Sequence, residues 1–246
     1  MTTFLVPAYN EERRIEKCIS EITREFPDSG CVVVFDGNDR TPEIVRKYRQ
    51  VKLIMFDKRV GKGRAIIEGL KAIGDDETVA IIDADMPVDA QDIRRAERAL
   101  GDADLLVAER IFTGEPGLRL FLHHSYMAIS KLFFPGLRRL PDWQGGFKLI
   151  RVSSYRKVSS EIIMNDFGFD TNLVYSFLKH RMKVVTYPVK WRHQESESKV
   201  SGNIIKVILM LLLSLMKMRV FYSPLRGFIY SKSFLVIQDK ILKLLR

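Results

Sequence analysis

The first 110 residues alternate five short apolar runs with four amphipathic segments, and this pattern restricts the possible folds strongly. The apolar runs predict β-strands at Phe4–Val6, Cys31–Phe35, Val51–Phe56, Thr78–Ile82 and Asp104–Ala108. Apolar residues at helical spacing predict helices at Glu11–Phe26, Thr41–Tyr48, Gly63–Ile73 and Ala90–Leu100. Strands that are apolar throughout are typical of a parallel sheet covered by helices on both faces. The sequence therefore predicts an α/β fold, with Pro7 ending the first strand.

Polar, acidic loops follow three of these strands, at Pro7–Glu11, Asp36–Asp39 and Asp83–Asp85. In open α/β sheets, ligands bind beyond the carboxyl ends of the strands. The pair Asp83 and Asp85 suits Mg²⁺ or Mn²⁺, because these cations prefer oxygen ligands and commonly share their coordination shell with substrate phosphates. The alternative is an ordinary polar turn, since Asp-x-Asp is a short motif.

The length and charge of the chain limit the functional classes. A chain of 246 residues suits one large domain, and 46% hydrophobic residues exclude a disordered protein. The net charge of +10 indicates an anionic partner, which could be nucleic acid, a membrane surface or a phosphorylated substrate. Cys18 and Cys31 lie in apolar segments, and we expect buried free thiols, consistent with a reducing compartment.

Two further patterns concern metal ligands and targeting. The four histidines form no ligand motif, so we do not expect a zinc site. The first strand begins almost directly after Met1, so we expect no signal peptide.

The middle of the chain is less regular. The pattern at Leu118–Phe134 predicts an amphipathic helix, which is either an ordinary packed surface helix or a helix with a functional role. Trp143–Phe147 contains Gly145 and Gly146 and predicts a close backbone approach before a strand at Lys148–Ile150. A helix at Phe169–Leu178 and a strand at Val184–Tyr187 follow.

The tail combines apolar runs with positive charge. Ile204–Met216 is almost wholly apolar, but 13 residues rise only about 20 Å as a helix, short of the roughly 30 Å hydrocarbon core. From residue 202 onward, eight Lys or Arg stand against one Asp, which gives +7 of the total +10. Basic residues beside apolar helices favour an anionic membrane surface over nucleic acid. The alternative is an ordinary core or oligomer-interface helix.

Taken in order, the motifs resemble those of family-2 glycosyltransferases of the GT-A fold, in particular polyprenyl-phosphate (dolichol-phosphate) hexosyltransferases. The resemblance covers Phe4 to about Val200. Its pieces are Val6–Glu12, Asp36–Thr41, Gly61–Ala65, Asp83–Asp85, Glu109–Arg110, Gln144–Lys148 and Ser198–Val200. It implies a Rossmann-like, mostly parallel sheet in a catalytic domain at 1–201, followed by an amphipathic, membrane-associated helical tail at 202–246.

The resemblance also implies roles for individual residues on the donor side. It implies base and ribose contacts at Pro7, Tyr9, Asn10, Glu11 and Asp36. Asp83 would hold ribose or metal-bound water, Asp85 would bind Mg²⁺ or Mn²⁺, and Lys199 would lie near the donor diphosphate on a closing loop. Lys62, in Gly61–Gly63, is either part of a simple turn or a phosphate contact at a helix start.

On the acceptor side, the resemblance implies that Arg110 and Arg119 receive a lipid phosphate. Our own hypothesis is that Asp170 orients the sugar or the acceptor rather than acting as a base. The two arginines could instead be solvated surface charges. Three positions depart from the family pattern: Phe35 replaces the first of two acids, Met86–Pro87 replaces a polar residue, and Asn172 replaces an acid. The departures leave open both the base and the sugar, UDP-glucose or GDP-mannose.

The expected reaction is inverting transfer of a hexose to polyprenyl or dolichyl phosphate at the cytoplasmic face of a membrane. A lipid phosphate is already anionic near neutral pH, so it needs positioning and charge neutralisation more than a strong base. The alternatives are transfer to a saccharide or other hydroxyl acceptor, a nucleotidyltransferase, and a non-catalytic nucleotide-binding membrane module. A nucleotidyltransferase usually has a Gly-rich basic loop after its first strand, where this chain has Pro7–Glu11.

Overall fold

A computed structural model describes residues 2–111, 117–165, 168–191 and 204–231, without the side chains of 118, 119 and 204–207. The strands are β1 Thr2–Ala8, β2 Gly30–Phe35, β3 Val51–Met55, β4 Thr78–Ile81, β5 Leu105–Ile111, β6 Lys148–Arg151 and β7 Val184–Lys190. The helices are α1 Ile15–Glu25, α2 Thr41–Val45, α3 Lys62–Lys71, α4 Ala90–Leu100, α5 Gly117–Phe133, α6 Val152–Val158, α7 Phe169–Lys179 and α8 Ile204–Phe221. Short 3₁₀ turns lie at Pro135–Arg139, Ser159–Glu161 and Arg226–Tyr230.

The strands form one seven-stranded sheet in the order β3-β2-β1-β4-β6-β5-β7. All neighbouring pairs are parallel except those of β6, which runs antiparallel to β4 and β5. The carboxyl ends of the other strands and the start of β6 therefore share one edge. The predicted mostly parallel α/β sheet is confirmed, and the reversed strand β6 brings the loop before it to this edge.

Pro7 does not end the first strand, contrary to the sequence prediction. Leu5 O accepts from Ile82 N on the β4 side, whereas Ala8 O accepts from Asp36 N on the β2 side. Residues alternate between the two neighbours, so Pro7 faces the β4 side, where pairing has already stopped at Leu5. The missing N–H of proline thus costs no ladder hydrogen bond at this position.

Several other element boundaries differ from prediction, and α1, for example, begins at Ile15 rather than Glu11. Helix α2 ends at Val45 rather than Tyr48, because the chain turns there and Val51 N donates to Tyr48 O. Strands β5 and β7 run on to Ile111 and Lys190, because they pair with each other to their ends. Their last residues are partly polar, so the apolar pattern stops before the strands do.

Buried side chains form one hydrophobic core on each face of the sheet. The core that includes Leu5 and Val34 packs against α3, α6 and α7, and it also contains Leu215 and Met218 of α8, which are fully buried. The other core includes Phe4 and Val33 and packs against α1 and α4. Both cysteines are free and buried in this second core, as predicted. Helix α8 therefore contributes to the core on this face of the sheet as well as belonging to the tail.

No helix among the described residues combines the length and apolar character needed to cross a membrane. The tail beyond Ser231 lies outside the described residues. The domain boundary between 201 and 202 stays a prediction.

Candidate active site

A tight turn after β4 carries the two acidic residues that the sequence singled out. Met86 has a φ of +47°, and its backbone N–H donates to Asp83 O at 3.0 Å. This left-handed conformation is uncommon for a residue with a side chain and is often found at functional sites. The buried side chain of Met86 anchors the turn and leaves Asp83 and Asp85 partly buried at the carboxyl edge of the sheet.

Lys62, the first residue of α3, forms an ion pair with Asp83. Desolvation acts to lower the pKa of Lys62, but the carboxylates of Asp83, Asp170 and Asp85 outweigh it and raise the pKa. The predicted phosphate contact therefore lies among three acidic residues. The ammonium offsets part of their negative charge and would face a ligand bound beside them.

Asp85 lies in an environment that disfavours its charged form. Burial raises the pKa of Asp85, and the neighbouring Asp83 carboxylate raises it further. Among the described residues, no group of three or more His, Cys, Asp or Glu could hold a metal ion. Mg²⁺ commonly takes only one or two carboxylates and completes its shell with water and substrate phosphates. The donor set of Asp83 and Asp85 therefore fits Mg²⁺ or Mn²⁺ that is shared with a diphosphate.

The loop before β6 packs closely against this turn, as its two glycines predicted. A Cβ atom added to Gly146 would lie 2.6 Å from Asp83 Cγ, and one added to Gly145 would lie 2.9 Å from Ala108 O. Neither position has room for a side chain without displacement of its neighbour. The bare backbone at Gly146 thus forms one wall of the space around the Asp83 carboxylate.

Asp170 lies in the first turn of α7 and is held by a buried lysine. Lys148 Nζ donates to Asp170 Oδ1 and to Gly145 O, both at 2.6 Å. The Lys148 side chain is only 1% exposed, whereas Asp170 is partly exposed. Asp170 therefore joins the group of acids around Lys62, with a fixed partner on its other side.

The loops after β1 and β2 hold each other through side chains predicted to bind the nucleotide. Asn10 has a φ of +56°, and its Oδ1 accepts from Asn38 N at 2.8 Å. Asp36 Oδ2 accepts from Val60 N at 2.9 Å and from Gly61 N at 2.7 Å. The Asp36 carboxylate thus shapes the turn that leads into Lys62.

The remaining predicted base and ribose residues line the same region. The Arg59 guanidinium carbon lies 4.1 Å from the centre of the Tyr9 ring, a cation–π contact. Glu11 Oε2 pairs with Arg14 at 2.7 Å, and Glu11 N donates to Thr41 Oγ1. Pro7 is half-buried at the end of β1. The structure therefore brings together the strand ends from which a nucleotide pocket was predicted.

Arg110, near the end of β5, belongs to a second cluster. Its Nε donates to Asp142 Oδ2 at 2.7 Å and an Nη donates to Asp142 Oδ1 at 3.2 Å, so the pair is bidentate. The same Nη lies 3.2 Å from His123 Nδ1, which is 3.1 Å from Gln144 Oε1. The guanidinium also lies 5.7 Å from the centre of the Trp191 ring.

The charge of Arg110 changes the pKa of both its neighbours in this second cluster. Burial alone would raise the pKa of Asp142, but the hydrogen bond and charge of Arg110 outweigh burial and lower the pKa. Burial and the Arg110 charge lower the pKa of His123. Beside the cluster lies a cleft of about 350 Å³. Its lining is Glu109, Arg110, His123, His124, Met127, Ala128, Lys131, Pro141 and Asp142.

Two predicted residues cannot be placed in these clusters. The Arg119 side chain and all of Lys199 lie outside the described part of the structure. Of the other predicted residues, Lys62, Asp83, Asp85 and Asp170 form one group. Arg110 lies in the other, and the loop 142–146 touches both.

Sequence reasoning missed Asp142, His123 and Lys148 as site residues. Lys148 gave a signal, since a charged residue opens an otherwise apolar strand. Asp142 and His123 gave none, because their contact with Arg110 joins segments that are distant in sequence.

The sequence is also similar to known proteins, as a family model and two relatives show. Residues 3–160 match the family model described as glycosyl transferase family 2. A dolichyl-phosphate β-glucosyltransferase of Trichomonas vaginalis is 30% identical, over 89% of this chain and 73% of its own. The human dolichyl-phosphate β-glucosyltransferase is 26% identical, over 80% and 68% of the two chains.

Solved structures support the fold. Glucosyl-3-phosphoglycerate synthase of Mycobacterium tuberculosis, in complex with Mn²⁺, UDP and glucosyl-3-phosphoglycerate, superposes with a TM-score of 0.71. The alignment covers 91% of this chain and 81% of that chain, at 15% identity. The same enzyme has been solved with Mg²⁺ and UDP and has the same TM-score at 14% identity. This likeness establishes the GT-A-like fold of the chain.

Proposed function

The chain belongs to glycosyl transferase family 2, and we propose that it transfers glucose from UDP-glucose to a polyprenyl phosphate such as dolichyl phosphate. One observation carries the proposal: a single loop contacts both clusters. Gly146 packs on Asp83, while Asp142 and Gln144 contact Arg110 and His123. A diphosphate donor in the first cluster and an anionic acceptor in the second would meet at this loop.

The choice of donor rests on the relatives. The Trichomonas and human proteins are both named glucosyltransferases, which favours UDP-glucose over GDP-mannose. The uracil and ribose would occupy the loops after β1 and β2, where Tyr9 offers an aromatic face that Arg59 covers. The diphosphate would then lie near Lys62, since anions bind favourably at the start of a helix.

The acceptor phosphate fits the cleft beside Arg110. Arginine binds phosphate through a planar fork and keeps its charge, and Lys131 and His124 line the same cleft. Asp142 already engages two nitrogens of Arg110, so an incoming phosphate would share that arginine or bind the other basic residues. Met127 and Pro141 give the cleft an apolar part that suits the first isoprene unit.

The reaction is a single in-line displacement. A phosphate oxygen of the acceptor forms a bond to the anomeric carbon, the bond from that carbon to the UDP oxygen breaks, and UDP leaves with the electron pair. A Mg²⁺ or Mn²⁺ held by Asp85 and Asp83 would offset the charge on the departing diphosphate. Lys62 adds positive charge on the same side, and Asp170 orients the sugar.

A membrane-bound acceptor also fits an exposed surface formed by α5 and the described part of the tail. Phe121 and Leu132 of α5 are 67% and 71% exposed, and α5 contacts α8. Further exposed apolar side chains are Ile208, Leu209, Met216, Leu225, Phe228 and Tyr230. Exposed arginines stand near them in sequence: Arg138, Arg139, Arg219 and Arg226. Apolar residues mixed with basic ones suit an anionic membrane surface.

A transfer assay tests the proposed reaction. Purified protein with Mn²⁺ and a short polyprenyl phosphate is offered UDP-glucose or GDP-mannose, and the lipid-linked sugar is followed by mass spectrometry. We expect product from UDP-glucose and its loss in Asp85→Asn. Product from GDP-mannose alone would overturn the donor, and transfer only to added saccharides would overturn the acceptor.

Co-sedimentation with anionic liposomes tests the membrane surface. Deletion of residues 202–246 would remove Leu215 and Met218 from the core, so substitutions of exposed residues are the better test. We expect Leu225→Ser with Phe228→Ser to release the protein, while Met55→Ser, exposed on β3, leaves binding unchanged. Unchanged binding of the double variant would contradict this surface.

A further inference from the structure

Lys148 is a buried cation that the proposed reaction does not use. Its side chain is 1% exposed, and a buried ammonium is costly unless it is paired and hydrogen-bonded. Here the ammonium has two protein partners, Asp170 Oδ1 and Gly145 O, each at 2.6 Å. Its two hydrogen bonds would hold both partners in place.

The backbone places Lys148 at the centre of the candidate site. It is the first residue of β6 and pairs with Ile81 of β4 on one side and Val107 of β5 on the other. Ile81 lies two residues before Asp83, and Val107 lies three residues before Arg110. The lysine therefore lies between the two strand ends that lead to the two clusters.

The partners of Lys148 belong to different walls of the site. Gly145 lies in the loop whose next residue, Gly146, packs on the Asp83 carboxylate. Asp170 lies at the start of α7, and its charge acts on Lys62. One ammonium thus ties the glycine loop to the first turn of α7.

We infer that Lys148 is a positioning residue for sugar transfer, which acts by holding the Asp170 carboxylate and the Gly145 carbonyl in register. This inference rests on the proposed function. Without the ammonium, Asp170 would turn toward Lys62, which already pairs with Asp83. The donor would still bind through the loops after β1 and β2, but the sugar would lose its orientation.

Steady-state kinetics with UDP-glucose and polyprenyl phosphate test the inference. For Lys148→Met we expect kcat to fall by about 100-fold, the size of loss that follows a misplacement of about 1 Å. The KM for UDP-glucose should stay nearly unchanged, because the loss is confined to the transition state. UDP binding, measured by calorimetry with Mn²⁺ present, should also be retained.

A double-mutant cycle separates positioning from general support of the fold. If Lys148 acts through Asp170, then Lys148→Met combined with Asp170→Asn should be no slower than the slower single variant. Asp170→Asn also removes the partly buried carboxylate that Lys148→Met would leave without its partner, so we expect the double variant to be more stable than Lys148→Met alone. Lys183→Met, which breaks the exposed ion pair with Asp102, is the matched control and should behave as wild type.

Three results would overturn the inference while wild-type transfer remains intact. They are a wild-type kcat in folded Lys148→Met, a loss explained entirely by a smaller folded fraction, and losses that multiply in the double variant. Absence of transfer in the wild-type protein would instead refute the proposed function.

Discussion

The fit between Gly146 and Asp83 makes a direct prediction. Gly146→Ala adds a single methyl group, and its carbon would lie 2.6 Å from Asp83 Cγ. The Asp83 side chain is short and is already paired with Lys62, so it can yield only by turning away from that partner. We expect the substitution to displace the carboxylate while leaving the sheet intact.

The size of the effect follows from the distances. The nearest atom, Asp83 Oδ2, would lie 2.0 Å from the added carbon, and ordinary van der Waals contact begins at 3.4 Å, so this oxygen must retreat by about 1.4 Å. A misplacement of about 1 Å at a reaction centre can cost about 100-fold in rate, so we expect kcat/KM to fall by about 10- to 100-fold. The stability cost should be small, because a side chain moves and no backbone does.

Two other glycines, Gly145 and Gly136, provide the comparison. Gly145→Ala directs its methyl group at Ala108 O, 2.9 Å away on a central strand, so it should lower stability as well as activity. Gly136→Ala meets only Tyr175 Cε2 at 3.8 Å, an ordinary contact, and should change neither. The assays are lipid-linked glucose formation and thermal unfolding of all three variants. Wild-type kcat/KM in Gly146→Ala would refute the argument that this backbone positions Asp83.

Three further predictions concern stability and reactivity. Asp142→Asn leaves Arg110, whose side chain is only 12% exposed, without its carboxylate, so urea unfolding at pH 7 should show a loss of about 3–5 kcal/mol. The folded-state pKa of Asp142 lies below its ordinary value of 3.8. The ionised carboxylate therefore stabilises the fold fully above pH 3.8, and this stabilisation is lost as the pH falls through the folded-state pKa. The difference in unfolding free energy between wild type and Asp142→Asn should narrow in that range. Tyr222→Phe removes hydrogen bonds to Ser176 Oγ at 2.6 Å and Asn172 Nδ2 at 2.9 Å and should cost about 1–3 kcal/mol in the same assay, whereas Tyr230→Phe, on an exposed ring, should cost nothing. Burial raises the pKa of the Cys31 thiol to about 12, so iodoacetamide at pH 8 should label it only after unfolding, and labelling of the native protein would contradict its burial.

The sequence predicted the parts of this fold that depend on local pattern. Apolar runs identified the strands, and helical spacing identified the helices, because burial on both faces leaves a continuous signal. The antiparallel direction of β6 left no such signal, since four residues that begin with Lys148 read alike in either direction. The extension of β1 through Pro7 depends on where β4 stops, which a single segment cannot reveal.

The candidate site likewise contains residues that local pattern predicts and residues that only tertiary packing brings together. Asp83, Asp85 and Lys62 could be predicted because each follows or opens an element with a clear pattern. The bidentate pair of Arg110 and Asp142 could not, since it joins residues 32 apart through tertiary packing. It changes how the basic cleft is understood, because Arg110 is already neutralised in part, and the acceptor phosphate that we propose would have to compete with Asp142.

Asn172 shows how a departure from the family pattern serves this chain. Its Oδ1 accepts from Ile163 N and Met164 N, and its Nδ2 donates to Glu161 O and to Tyr222 Oη. A carboxylate could accept the first two hydrogen bonds but could not donate to the Glu161 carbonyl, so the amide suits a position that must do both.

This amide also connects the tail to the site. Tyr222 directly follows α8, while Met164 and the adjacent Asn165 present the backbone against which Gly61 and Gly63 pack, on either side of Lys62. A Cβ atom at Gly63 would lie 2.9 Å from Asn165 C, so the start of α3 fits closely against this segment. The contacts run without a break from α8 through Asn172 to Lys62. If α8 meets a membrane with its outer face, as we propose, then its inner face supports the lysine that pairs with Asp83.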